Sequence, residues 1–306
     1  MNKKTAAFIS VAIILIFIGY IIYDSINIPE PEKEVSQVAD STAPVDAWKI
    51  SKEFQVESGK LKAVSCSGSG LIYLGGTSFV SCFDSVFRQI WTLKTDSSVT
   101  ALSLCGDTLF AATSNQILVL SKSGKFLNEW GPFEDNSIIT SVSSNKEYVA
   151  VADAGNKTVF ILDKGGEVKK MIGQNKKEFI LPSPYFDVVL DTKNTLYTAN
   201  TGLHRIETRT IDGSIISFFG EAGNAPGYFC GCCAPPHFAV IPQGFVTAEK
   251  GINRIKILNS KGEFVEFVNS KNNFIKSVPL DLASSDGKTI YAAYPADSKL
   301  YIFRKK

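Results

Sequence analysis

An internal repeat limits what this chain can fold into more than any other feature. Six segments align: LIYLGGTSFVSCFDSVF from Leu71, TLFAATSNQILVLSKSGKFLNEWG from Thr108, YVAVADAGNKTVFILDKGGEVKKMIG from Tyr148, TLYTANTGLHRIETRTIDGSIISFFG from Thr195, GFVTAEKGINRIKILNSKGEFVEFV from Gly244 and TIYAAYPADSKLYIFRKK from Thr289. One column is small throughout, at Gly75, Ala112, Ala152, Ala199, Ala248 and Ala293, with steps of 37, 40, 47, 49 and 45 residues. A period of this size marks an architecture in which each unit is one supersecondary element that buries its apolar face on its neighbours.

Each unit reads as a short β-rich run, a Gly or Asn turn, a second run with alternation such as Arg254-Ile255-Lys256-Ile257, a Lys/Asp-Gly turn and a third run. A further apolar stretch precedes the unit, as in VTALSL (99–104), FDVVL (186–190) and HFAVI (237–241). Four strands per unit is the content of a propeller blade. Almost no segment has helical period, which argues against α/β classes. The small column falls on the second strand of each blade, where converging sheets leave no room for large side chains. The sixth unit ends at Lys306, one strand short, and WKISKEFQVE (48–57) has no partner of its own. Pairing the two completes the last blade and removes an open edge. The expected fold is therefore all-β: a six-bladed propeller over residues 48–306, with the N-terminal strand closing the last blade.

Upstream, Ala6 to Tyr23 (AAFISVAIILIFIGYIIY) is uncharged. As a helix it spans about 27 Å, close to one bilayer core. Lys3 and Lys4 precede it and Asp24, Glu30, Glu32 and Glu34 follow, so the positive flank stays cytoplasmic and the remainder is exported. The run is longer than a usual signal-peptide core and no A-x-A site closes it, which favours an uncleaved anchor over a cleaved leader. Residues 24–47 carry three prolines and several acids and read as a tether. The expected plan is a cytoplasmic tail (1–5), a transmembrane anchor (6–23), a linker (24–47) and an extracytoplasmic, periplasmic propeller on the bacterial inner membrane. Lys3 and Lys4 account for the whole formal charge of +2, so the exported part is neutral and offers no basic field for nucleic acid.

The segment TLYTANTGLHRIETRTIDGSIISFFGEAGNAPGYF (195–229) resembles the NHL repeat in its YTANTGLHRI core, its DG hairpin and its FGEAGNAPGYF return. AVADAGNKTVFILDKGGEV (150–168) and VTAEKGINRIKILNSKGEFV (246–265) repeat the pattern. The resemblance is good over 97–306 and weak over 57–96. It implies a six-bladed propeller, in agreement with the strand count, and makes His204 a surface hairpin residue. It does not select a function, because such propellers serve as binding modules, scaffolds and a few lyases and hydrolases. One departure stands out: CGCCAPPHFAV fills the connection after PGYF, between blades four and five. In this the chain is similar to bacterial, membrane-anchored NHL-like proteins with a Cys-rich insertion.

Cys230, Cys232, Cys233 and His237 in that connection admit several chemistries. Covalent haem is excluded, since Ala234 stands where C-x-x-C-H needs its histidine. A thioredoxin-like pair needs a helix N-terminus, and none is predicted. Three thiolates and an imidazole suit Zn or Cu(I), although the spacing is cramped and adjacent cysteines diverge in extended backbone; two cysteines with His237 make the better set. An exported domain with six cysteines equally suits a disulfide, with Cys66, Cys82 and Cys105 remote in the first two blades.

Asp187 (PYFDVVL), His237 (PPHFAVI) and Asp281 (VPLDLA) open three inner strands, which places them at one mouth of the axial channel, either as a polar ligand ring or as strand-end caps. Asp153, Asn200 and Glu249 follow the small column and suit turn amides. Trp48, Trp91 and Trp130 fall in or near outer strands and read as packing. A three-His zinc site of the kind used by NHL-like amidating lyases cannot form from two histidines, and two axial aspartates are thin support for a Ca-dependent hydrolase. The expected function is a membrane-tethered module that binds protein partners, an accessory to a membrane complex. The alternatives are a metal or redox accessory acting through the cysteine cluster, and a propeller enzyme.

Overall fold

The computed structural model describes residues 46–306 apart from 175–176, 271–273 and 276–277. The anchor expected at 6–23 and the linker at 24–47 lie outside the described residues, except for the linker's last two positions. Among the described residues no helix is long and apolar enough to cross a membrane.

The repeat folds as expected, into six four-stranded antiparallel sheets. After β1 (Trp48–Gln55), the first blade is β2 (Leu61–Cys66), β3 (Ile72–Gly76), β4 (Phe79–Phe83) and β5 (Gln89–Lys94). The second is β6 (Ala101–Cys105), β7 (Thr108–Ala112), β8 (Ile117–Ser121) and β9 (Phe126–Trp130). The third is β10 (Ile139–Ser144), β11 (Tyr148–Asp153), β12 (Thr158–Asp163) and β13 (Val168–Ile172). The fourth is β14 (Val188–Leu190), β15 (Leu196–Asn200), β16 (Arg205–Arg209) and β17 (Ile215–Phe219). The fifth is β18 (His237–Ile241), β19 (Gly244–Ala248), β20 (Ile255–Asn259) and β21 (Phe264–Asn269). The sixth is β22 (Asp281–Ala283), β23 (Thr289–Tyr294) and β24 (Lys299–Lys305), and β1 is its fourth strand. The closure pairs Trp48 with Lys305 and Gln55 with Lys299, antiparallel. Trp48 is buried and its Nε1–H donates to Glu266 Oε1 at 3.0 Å, pinning the closing strand to blade five.

Burial falls along each blade. The second strands are buried almost end to end, because sheets press on both of their faces, whereas outer strands such as β9 and β17 are largely exposed. The apolar core is a ring of wedges, one cluster between each adjacent pair of blades. Phe110, Val151 and Phe160 join blades two and three, for example, and Leu74, Ala293 and Ile302 join blades one and six. The small column is the narrow end of these wedges: its five alanines are fully buried, and a Cβ built on Gly75 would lie 2.7 Å from Val99 Cγ1. The Lys/Asp-Gly turns act at the wide end. Gly262, at φ +82°, lets the blade-five turn lie flat on the Phe219 ring of blade four, where a Cβ would sit 2.2 Å from the ring. Trp91 and Trp130 receive turns of the following blade in the same way.

Candidate functional site

The structure brings Asp187, His237 and Asp281 together at the axis. Each stands at or just before the first residue of an inner strand, β14, β18 or β22, so the repeat delivers them to one level. His237 Nδ1 lies 3.7 Å from Asp187 Oδ2 and 3.6 Å from Asp281 Oδ1. Both carboxylates also tie strands together. Asp187 accepts the Ser141 hydroxyl of blade three at 2.5 Å, its neighbour Val188 N–H at 2.9 Å and the Phe238 N–H of blade five at 2.8 Å. Asp281 accepts the Val64 N–H of blade one at 2.8 Å and Leu282 N–H at 3.0 Å. The two aspartates thus stitch blades three to five and blades six to one.

Burial pushes the Asp281 carboxyl up to about 6, with the Asp187 charge adding to the effect and His237 and the two amides opposing it. Burial alone would lower the His237 pKa, but pairing with Asp187 and the charges of Asp281 and Asp187 outweigh it, and the pKa is raised. Both shifts favour the protonated forms of Asp281 and His237. The imidazole separates two spaces. On the axial side is a cavity of about 200 Å³ lined by inner-strand residues such as Ser103 and Ser141. On the other is a vestibule of about 340 Å³ bounded by Lys60, Lys62, Tyr185 and Pro279. Sequence reasoning did not find the vestibule, because its walls come from several inter-blade connections, the starts of inner strands and the β23–β24 turn, with no shared motif.

The column after the small residue does more than satisfy local turns. Its side chains hold the connection arriving from the previous blade. Asp153 accepts Ile138 N–H at 2.8 Å, Asn200 accepts Ile180 N–H at 2.9 Å, Glu249 accepts Cys230 N–H at 2.7 Å and the Tyr294 hydroxyl accepts Ile275 N–H at 2.6 Å. Glu249 is itself buried, 2.6 Å from Arg254 Nε and 3.1 Å from Lys256 Nζ. Arg254 donates to the carbonyls of Asn224, Ala225 and Tyr228, and Lys256 also donates to Tyr228. Burial lowers Lys256 to about 8 against the pull of Glu249. Nothing in the alternation of Arg254-Ile255-Lys256-Ile257 announces that its charges are buried; the pairing with Glu249 and the carbonyls of the incoming connection compensate them. A parallel network in blade four joins buried Glu207 and Arg209 at 2.6 Å.

The cysteine connection lies on this scaffold. Gly231 and Gly251 pass close together, and a Cβ on Gly251 would meet Cys230 Sγ at 2.9 Å. His204, in left-handed conformation at φ 53°, donates Nε2–H to Gly231 O at 2.5 Å, and Ala234 N–H reaches Thr201 O at 3.3 Å. His204 is therefore a brace for the connection as well as a hairpin residue. The adjacent thiols converge where extended backbone would separate them: Cys232 Sγ lies 3.3 Å from Cys233 Sγ. Cys232 is exposed and Cys233 is buried, and the six cysteines stand as free thiols in this structure. Cys66, Cys82 and Cys105 lie in β2, β4 and β6, in the first two blades as expected. Of the residues considered for Zn or Cu(I), Cys230, Cys232, Cys233 and His237, the last stands on the axis beside its two carboxylates. Among the described residues no group of three or more His, Cys, Asp and Glu side chains is placed to hold a metal ion.

No family model matches the chain, and no curated protein sequence does. Solved structures share its fold. A protein of unknown function from Bacteroides thetaiotaomicron superposes with a TM-score of 0.61 at 12% identity, over 83% of this chain and 72% of that one. A streptogramin B lyase gives 0.59 at 14% identity, over 83% and 97%. The WD40 β-propeller domain of Doa1 gives 0.58 at 12% identity, over 80% and 79%. At these identities the likeness is one of fold, a β-propeller, and activity does not transfer with it.

Proposed function

We propose that this chain is a membrane-tethered, extracytoplasmic propeller of the NHL type that works as a protein-binding scaffold. The observation that carries the reading is the apolar dressing of the outer strands. Ile215, Ile216 and Phe218 of β17 are 48%, 61% and 57% exposed, Phe126 and Leu127 of β9 are half exposed, and Ile90 of β5 and Val265 of β21 continue the set. Outer strands also present an unpaired backbone edge, so side chain and main chain together offer a surface for strand addition or apolar docking. The axial group favours a scaffold over an enzyme, since both carboxylates are occupied by backbone amides of neighbouring blades. The uncharged run from Ala6 to Tyr23 supports the tether, and the NHL-like segments support the repeat type.

The test is site-specific photocrosslinking in intact cells, with the probe at Ile216 and, separately, at exposed Asp212. The reading predicts a discrete adduct from Ile216 that is lost in Phe218→Glu, a variant whose melting temperature stays at the wild-type value. Equal, diffuse labelling from both positions would remove the reading. Alkaline carbonate extraction tests the tether: the full chain stays in the membrane pellet, and its release into the supernatant would contradict the anchor.

A further inference from the structure

We propose that Cys232 and Cys233 form a thiol–disulfide exchange site that reacts with small disulfides and closes into a disulfide between adjacent residues. Three observations carry it. The two sulfurs are 3.3 Å apart, so that reaching a bond of about 2.0 Å takes a local shift of about 1.3 Å within the eight-membered ring that adjacent cysteines close. They differ in access: Cys232 is exposed and Cys233 is 1% exposed, the asymmetry of an attacking and a resolving thiol. The segment on either side is fixed to both neighbouring blades, by Glu249 on the Cys230 amide, His204 on Gly231 O and Thr201 on the Ala234 amide, so the juxtaposition is held by the fold.

The close sulfur contact is between Cys232 and Cys233, and Cys230 stands apart from it. Its Sγ faces Gly251. Burial and the neighbouring Cys232 raise the Cys233 pKa, against the pull of Ser183 and Lys250, which keeps Cys233 a thiol and leaves the first attack to Cys232. In that step the Cys232 thiolate attacks one sulfur of a disulfide RSSR. A Cys232 Sγ–S bond forms, the S–S bond breaks, and RS⁻ leaves and takes up a proton. Cys233 then loses its proton to solvent and attacks Cys232 Sγ. The Sγ–Sγ bond forms, the bond to R breaks, and the second RS⁻ leaves. Two protein thiols are oxidised by two electrons and one disulfide is reduced to two thiols.

Lys250 stacks on the Tyr185 ring at 4.7 Å, and Tyr185 packs edge-on to His237 at 6.5 Å. Lys250, whose charge acts on Cys233, thus lies between the exchange site and the vestibule residue Tyr185.

The test equilibrates the full-length protein with mixtures of reduced and oxidised glutathione, quenches with acid, and counts maleimide-reactive thiols by intact mass. Cys230→Ser should lose two reactive thiols on oxidation, appearing about 2 Da lighter before labelling, while Cys232→Ser and Cys233→Ser should not close a disulfide. In the reduced protein Cys232 should alkylate at least about tenfold faster than Cys233. Near-UV circular dichroism of each variant checks that its fold is intact. Retention of both thiols by Cys230→Ser under oxidising mixtures that fully oxidise a free dithiol would overturn the proposal. So would disulfide formation that persists in Cys232→Ser or Cys233→Ser through Cys230.

Discussion

His237 and Asp281 each hold a proton more tightly in the folded chain than in the unfolded one. Asp281 goes from about 4 when unfolded to about 6, so the stability its proton confers fades as pH rises through that interval. His237 adds a second decline that begins above its ordinary value of 6.5 and ends at its raised folded pKa. The groups facing the imidazole are Asp187 from blade four, Asp281 from blade six, Tyr185, and Lys60 and Lys62 across the vestibule. Asp281→Asn removes one carboxylate. The His237 pKa should then fall, and the decline in stability between pH 4 and 6 should flatten. With two histidines in the chain, NMR titration resolves both imidazoles, and His204→Gln assigns them. An unmoved His237 would contradict the ion-pair geometry. Glu249 makes the opposite case, a buried anion on which two buried cations depend. Glu249→Ala leaves Arg254 and Lys256 uncompensated and should cost about 3–5 kcal/mol in urea unfolding. A cost near zero would show that water reaches the network.

Among the elements, the second strand of each blade is the most constrained. Ala152 is fully buried between blades three and four, so Ala152→Leu forces the wedge open and should destabilise by about 1–3 kcal/mol, whereas Val168→Leu on the exposed outer strand should be neutral. Thermal melts of the two variants make the comparison. Strand content was legible because small residues, turn glycines and alternation recur in register. The inner-strand aspartates were legible because FDVVL and VPLDLA align with HFAVI. The buried Arg254–Glu249–Lys256 network was not, because a charged alternation looks the same whether it meets water or a partner five positions away. The convergence of Cys232 and Cys233 was also hidden, since it depends on turn geometry set by Gly231, His204 and Glu249 from two blades. So was the vestibule, which has no linear signature.

At the scale of the molecule, the ring has to be closed. Six clusters bridge adjacent blades, and the one between blades six and one exists only if the chain's two ends share a sheet. Closure gives the sixth sheet its fourth strand, so that each of the six sheets among the described residues has four strands. Proton–deuterium exchange of the full-length chain, followed by mass spectrometry, tests this directly. The account predicts that the amides of Trp48–Gln55 engaged with Lys299–Lys305 exchange as slowly as the β23–β24 ladder beside them. Complete exchange of 48–55 within seconds, while β24 stays protected only on its β23 side, would contradict the closure and with it the six-bladed ring.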